Sequence, residues 1–76
     1  MTDTCTHLER YDPARGMARF YALSVRPNLF GGWSVMREWG RVGSPGRVRI
    51  DLHESEGEAQ AAYGKLVRQK QRRGYI

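Results

Sequence analysis

The sequence predicts an α+β fold in which an antiparallel sheet of three or four strands packs, with one face, on a single C-terminal amphipathic helix. Two observations carry this prediction. Apolar residues alternate with a period of two in segments that glycine and proline turns separate, and apolar residues at helical spacing follow after Ser55. The 76 residues suffice for one small domain of this kind.

The first half of the chain supplies two predicted strands. We expect residues 1–5 to be a flexible tail and residues 6–76 to be the single domain. Residues 6–11 are predicted to form a short strand, residues 12–16 a turn and residues 17–26 a longer strand. In the longer strand, alternation places Tyr21, Leu23 and Val25 on one face and Phe20, Ala22 and Ser24 on the other.

Two further strands flank a glycine-rich connection. Residues 33–39 and 47–53 alternate, whereas residues 40–46 contain three glycines and a proline, which suit turns rather than regular structure. One face of the first strand carries Trp33, Val35, Arg37 and Trp39. In the second strand Val48, Ile50 and Leu52 point one way, and Arg47, Arg49, Asp51 and His53 point the other.

The last segment is predicted to be a helix with defined ends. Ser55 and Glu58 fit a capping box at its start, and Gly74 fits the residue that stops a helix. Apolar residues recur at helical spacing at Ala59, Ala62, Tyr63, Leu66 and Val67. We expect this stripe to cover the sheet, in a helix of about 18 residues and about 27 Å.

Composition excludes several classes of protein. No apolar run approaches the roughly 20 residues that span a bilayer, and no secretory signal is visible, so we expect no membrane association. The single cysteine, Cys5, cannot form an internal disulfide, which favours a reducing, cytoplasmic location. His7 and His53 lack partners at metal-ligand spacing. We therefore expect no enzyme activity, no catalytic residue, no metal and no cofactor.

The positive charge points to a phosphate-bearing partner. Thirteen basic residues against eight acidic ones give a formal net charge of +5. Eleven of the basic residues are arginines, which favour bidentate phosphate contacts. The candidate DNA-binding residues are Trp39, Gly40, Arg41, Arg37, Arg47, Arg49, Lys65, Arg68 and Arg72. The basic second half of the helix also fits simple compensation of the helix dipole.

Trp39 has two interpretations from its position alone. It shares a face with Trp33 and Val35, which is consistent with packing in the core or at its rim. It also stands at the end of a strand beside Gly40 and Arg41, where an aromatic ring next to a guanidinium can bind a sugar or base beside a phosphate. Spacing does not decide between the two.

A resemblance to a known family adds to this reading. The segment Trp39-Gly40-Arg41-Val42-Gly43, followed by Gly46, resembles the signature of the WGR domain. The predicted strands around residues 18–23 and 33–38 resemble strands of that family. The closing helix, with its Gly-Tyr ending, resembles the last helix of the family. The resemblance covers residues 6–76 and implies an antiparallel sheet with one helix packed on it.

The resemblance also implies roles for two residues. In poly(ADP-ribose) polymerases the WGR domain binds DNA near a strand break, and its tryptophan packs on the sugar at a 5′ end. Trp39 would then be the sugar-stacking residue, and Arg41 the contact to phosphate or to a partner. Because no catalytic or zinc-finger domain accompanies the signature in this sequence, the relay of a break signal is not carried over.

Two functions therefore stand as hypotheses. The first is a DNA-binding module without sequence specificity, which recognises duplex ends, nicks or gaps through phosphate contacts and a stacked tryptophan. The alternative is a protein-interaction module that docks an acidic partner through the same basic face. No feature of the sequence specifies an oligomer, so we expect a monomer.

Overall fold

The computed structural model describes residues 4–76 and has the predicted α+β architecture. Its elements are β1 (Thr4–Asp12), β2 (Met17–Pro27), β3 (Trp33–Arg41), β4 (Arg47–His53) and α1 (Glu56–Arg72). A single turn of 3₁₀ helix connects β1 to β2. The strands form one antiparallel sheet in the order β1-β2-β3-β4, and α1 packs on one face of it. The sheet thus has four strands, the larger of the two numbers expected.

The first strand is longer than predicted. It begins at Thr4, where Thr4 pairs with Val25 and Cys5 pairs with Ser24, so these two residues belong to the sheet rather than to a tail. The side-chain amide of Gln60 in α1 also donates a hydrogen bond to the Thr4 hydroxyl at 3.0 Å. The remainder of the expected tail, residues 1–3, lies outside the described residues.

The core lies between α1 and the middle of the sheet. The strand register aligns Leu8 with Tyr21, and Val25 with Val35, so their side chains share the face under the helix. The fully or almost fully buried apolar residues of this face are Leu8, Tyr21, Leu23, Val25 and Val35. Ala59 of α1 is fully buried against them, and its small side chain lets the helix approach the sheet closely.

The polar side chains of β4 lie on the face of the sheet that α1 covers. Asp51 lies opposite Val35, and Arg49 lies opposite Arg37, so the odd-numbered residues of β4 share the face that α1 covers. The apolar residues Val48, Ile50 and Leu52 therefore point to the face of the sheet that α1 does not cover, here called the open face. Their side chains are 54%, 58% and 72% exposed there. Because β4 is an edge strand at the margin of the helix, neither of its faces is fully covered.

The ends of α1 confirm the predicted start and stop. The Glu58 N–H donates to the Ser55 hydroxyl at 3.1 Å, and Gly74 adopts a φ of +96°, a left-handed conformation that favours glycine. The chain then turns back to the sheet. Ile76 and Glu9 exchange two backbone hydrogen bonds, of 2.8 and 2.9 Å, at the outer edge of β1.

Candidate nucleic-acid interface

A groove of about 390 Å³ opens at the end of the sheet where α1 finishes. Strands β2 and β3 form its floor through Arg19, Trp39 and Arg41, and the connection before β2 contributes Arg15. Tyr75, the residue after the helix stop, closes one side. The groove thus combines three guanidinium groups and two aromatic rings, which is the chemistry that binds a sugar-phosphate chain.

Trp39 is held in place from one side and remains accessible from another. Its ring stacks on Tyr21 with centroids 5.9 Å apart and an interplanar angle of 18°. Tyr21 is itself fixed by Tyr75, in an edge contact at 6.2 Å, and by the Lys70 ammonium 4.4 Å from its ring centroid. Trp39 is half-buried and lines the groove, so it packs at the rim of the core and keeps part of its surface accessible.

Three arginines form a row across the sheet beside Trp39. Arg10 on β1 pairs with Arg19 on β2, and Arg19 pairs with Arg41 on β3. Cross-strand partners lie about 4.5–5.5 Å apart at Cα, and like charges in these positions destabilise a sheet. Within residues 4–76 none of the three makes an ion pair. A bound anion would relieve their mutual repulsion.

Gly40 serves the packing of the β3–β4 connection. A Cβ atom on Gly40 would lie 2.9 Å from the Gly46 Cα, and one on Gly46 would collide with the Trp39 carbonyl oxygen. The Phe20 ring covers both glycines on the open face of the sheet. The two glycines therefore let the connection cross close to β3, which fixes the backbone on either side of Trp39.

Two candidate arginines are engaged within the protein. Asp51 forms an ion pair with Arg37 Nη2 at 2.9 Å and accepts a hydrogen bond from Arg49 Nε at 3.0 Å. Burial alone lowers the pKa of Arg37, but the neighbouring Tyr21 hydroxyl and the Asp51 carboxylate raise that pKa above the ordinary arginine value. Arg37 is largely buried and Arg49 is mostly exposed. Their charge is thus partly neutralised before any ligand arrives.

The remaining candidates lie around the groove at different distances. Arg47 lies opposite Trp39 on β4, next to the groove. Lys65 lines a separate groove with Arg37, between α1 and β4. Arg68 follows the buried Ala59 by nine residues, half a turn out of phase at 100° per residue, so it lies on the helix face away from the sheet. Arg72, at the helix end, is exposed.

Lys70 belongs to the same positive region, although it was not among the candidate DNA-binding residues. Burial, followed by the charges of Arg73 and Arg37, lowers the pKa of the Lys70 ammonium. Burial is the larger cause, and the charges of Arg73 and Arg37 add repulsion to it. An anion placed there would favour the protonated lysine.

The charges are distributed unevenly along the long axis of the sheet. The strands run antiparallel, so the end of β1, the start of β2, the end of β3 and the start of β4 lie together with the end of α1. Basic residues gather at this end, namely Arg10, Arg15, Arg19, Arg41, Arg47, Lys70, Arg72 and Arg73. The opposite end carries the acidic start of the helix, Glu54, Glu56 and Glu58.

Sequence reasoning missed part of this site. Arg10, Arg19 and Tyr75 were not among the candidates, because their closeness to Trp39 depends on strand register and on the return of the chain after α1. Arginines at matching positions of adjacent strands are the signal that a register prediction would have used.

In the described part of the chain, no helix is long and apolar enough to cross a membrane, and no group of three potential ligands gathers to hold a metal ion.

Comparisons with known proteins identify the family. The profile described as WGR domain matches residues 4–76. The uncharacterized protein y4dW of Sinorhizobium fredii (strain NBRC 101917 / NGR234) is 45% identical over 69 residues, which cover 91% of this chain and 34% of the relative. The chain thus spans about a third of the length of that relative, and no solved structure matches this chain significantly. Because the family match extends over nearly the whole chain, the protein belongs to the WGR domain family, a nucleic-acid-binding type of domain.

Proposed function

We infer that this domain binds duplex DNA without sequence specificity and prefers ends, nicks or gaps. The observation that carries the inference is the groove in which Trp39 lies beside Arg19 and Arg41. A groove at the end of the sheet suits a terminated strand, whose last sugar can reach a ring that an intact duplex keeps at a distance. The neighbouring arginines would then contact the flanking phosphates.

The packing of the helix supports readout of the DNA backbone rather than of base sequence. Ala59 is fully buried, and Tyr63 and Leu66 pack on the core from the same side of α1. One face of the helix is therefore committed to covering the sheet, and the exposed second half of the helix carries only Gln69 and Gln71 as side chains of the base-reading amide type. Most of the exposed charge is arginine, which suits phosphate contacts.

The proposed contact surface is narrower than the set of candidate residues. It comprises Trp39, Arg41 and Arg47 from the candidates, together with Arg10 and Arg19 from the arginine row. Gly40 contributes through backbone packing, and Arg37 and Arg49 contribute less because Asp51 already engages both. Lys65, Arg68 and Arg72 would add long-range attraction from the helix.

The first test is a fluorescence-anisotropy titration with four labelled duplexes. They carry a blunt end, a phosphorylated 5′ end, a nick, or no free end because both ends are closed into loops. We expect tighter binding to the ends and the nick than to the closed duplex. In Trp39→Ala this preference should fall by about 1–3 kcal/mol, the range for loss of one stacked aromatic.

The chain provides a matched control in Trp33. This residue is also a half-buried tryptophan on the same face of β3, and it lies about 20 Å away, at 3.3–3.4 Å per residue. Trp33→Ala should reduce thermal stability while keeping the preference for ends. Equal binding to all four duplexes would contradict the break-recognition function. Absence of binding at low salt would favour the alternative, an acidic protein partner on the same basic face.

A further inference from the structure

Strand β4 has an unoccupied hydrogen-bonding edge. Within residues 4–76 it pairs with β3 on one side, and no strand pairs with its other side. The other outer strand, β1, differs because Ile76 occupies its edge at Glu9. An exposed edge of this kind is a template for another strand.

The register shows which backbone groups β4 offers. The backbone N–H and C=O groups of Glu9 point away from β2 and bond to Ile76. The Val42 N–H donates a hydrogen bond to the Ala18 carbonyl, which links the ends of β3 and β2. Successive residues of a strand direct their N–H and C=O groups to alternate sides, and the three strand pairings contain no break in register. In β4 the odd-numbered residues therefore bond to β3. The outward groups belong to Val48, Ile50 and Leu52.

These three residues also carry exposed apolar side chains on the open face. Val48, Ile50 and Leu52 are each more than half exposed, and they form one continuous row along the edge. A row of this kind at a free edge normally carries a charge or a proline that prevents pairing. Here the charges lie on the opposite face of the same strand, at Arg49 and Asp51.

The charges of β4 are complementary to a second copy of β4. An antiparallel pairing about a two-fold axis at Ile50 places Arg49 opposite Asp51 of the second copy, and Asp51 opposite its Arg49. The same axis places Val48 opposite Leu52, and Ile50 opposite itself. Ile50 then forms a hydrogen-bonded pair, which leaves Arg49 and Asp51 in the closer, non-hydrogen-bonded positions. The edge is thus self-complementary in hydrogen bonds, apolar contacts and charge.

The charge distribution of the whole domain favours the same arrangement. Antiparallel β4 strands run in opposite directions, so the basic end of one copy lies beside the acidic end of the other. Arg47 at the start of one β4 faces His53 near the acidic helix start of its neighbour. The attraction between unlike ends offsets part of the repulsion between two chains of net charge +5.

We propose that two copies of this domain associate through β4, with the two-fold axis at Ile50, to form a continuous eight-stranded sheet. The two Trp39 grooves then lie at opposite ends of the joined sheet. Because each copy uses its β4 edge once, the assembly closes as a dimer.

The test is sedimentation equilibrium of the protein without DNA, at concentrations up to about 1 mM, which detects even weak association. We expect the average mass to rise from 8.7 kDa toward twice that value. A monomer at every concentration overturns the proposal.

Ile50→Pro removes an outward N–H without affecting the bonds to β3, and it should weaken association at least about tenfold. Ile50→Val keeps the N–H and should keep the dimer.

The register is tested by charge exchange between copies. Arg49→Asp alone places two carboxylates opposite each other, and Asp51→Arg alone places two guanidiniums opposite each other, so each variant should be monomeric. An equal mixture of the two variants restores both opposite-charge pairs and should form a heterodimer. Circular dichroism confirms that each variant is folded. A mixture that stays monomeric while the wild type dimerises contradicts this arrangement.

Discussion

At the scale of single residues, Trp39 is both fixed by packing and partly accessible. Its stacking on Tyr21 fixes the ring, and its position in the groove leaves part of the ring accessible. A fixed ring loses little conformational freedom when a sugar packs on it, so more of the contact energy remains for binding. The sequence left core packing and binding of a sugar or base open as alternatives for Trp39, since a strand position defines a face but not the degree of its coverage.

The arginine row predicts a conflict between stability and binding. Arg19 lies between Arg10 and Arg41, so Arg19→Gln removes both like-charge pairs at once. We expect the folded state to gain about 0.2–1 kcal/mol per relieved pair, seen as a higher Tm. DNA affinity should fall in the same variant, because a phosphate contact is lost.

Arg26→Gln is the matched control for this prediction. Arg26 is an exposed arginine of the same strand, at the end away from the groove. It should leave both the Tm and the DNA affinity nearly unchanged. A lower Tm in Arg19→Gln would show that other contacts of Arg19 outweigh the repulsion.

At the scale of elements, the β3–β4 connection depends on glycine packing. Gly46→Ala places a methyl group against the Trp39 carbonyl and the Phe20 ring. We expect a loss of about 1–3 kcal/mol in the free energy of unfolding, as for other overpacked sites, measured by urea denaturation. DNA binding should weaken as well, because the connection supports the backbone beside Trp39.

Gly57→Ala makes the same chemical change where space is available. The nearest atom to a Cβ on Gly57, other than its own helix backbone, is the Ser55 hydroxyl at 3.9 Å, and Gly57 lies in the first turn of α1. This variant should be more stable by up to about 1 kcal/mol, because alanine favours helix. If both variants changed stability in the same direction, packing at Gly46 would not be the cause.

The elements also show how far sequence reasoning reaches. The alternation in residues 47–53 predicted β4 with its full bounds, and the capping residues predicted both ends of α1 closely. The same alternation did not show which face of β4 the helix covers, because a period of two defines two faces without ranking them. The apolar row of Val48, Ile50 and Leu52 would ordinarily be assigned to the core. The structure exposes it, because Asp51 lies opposite the buried Val35.

At the scale of the whole molecule, the basic end predicts strong salt dependence. If three to five phosphates are neutralised, the slope of log K against log salt should be about −3 to −4.5. Arg41→Ala should reduce the magnitude of this slope by about one. Titrations at several salt concentrations measure both quantities. A slope near zero would mean that binding does not depend on the arginines.

The site could be predicted only in part for a reason that also lies at this scale. Trp39 and Arg41 are close in sequence and carry the family signature, whereas Arg15 and Tyr75 reach the same groove from opposite ends of the chain. Their meeting depends on the order of strands and on the return of the chain after α1. A sequence motif contains only residues that are close along the chain, whereas the groove also contains residues that folding brings together.

The separation of basic and acidic ends has a consequence for the approach to DNA. A domain with its positive charge at one end and its negative charge at the other has an electric dipole along its long axis. In the field of a polyanion such a molecule rotates before contact, so that its basic end arrives first. The groove would therefore meet the DNA in a larger share of encounters than random orientation allows. Added salt should then slow association itself rather than only hasten release.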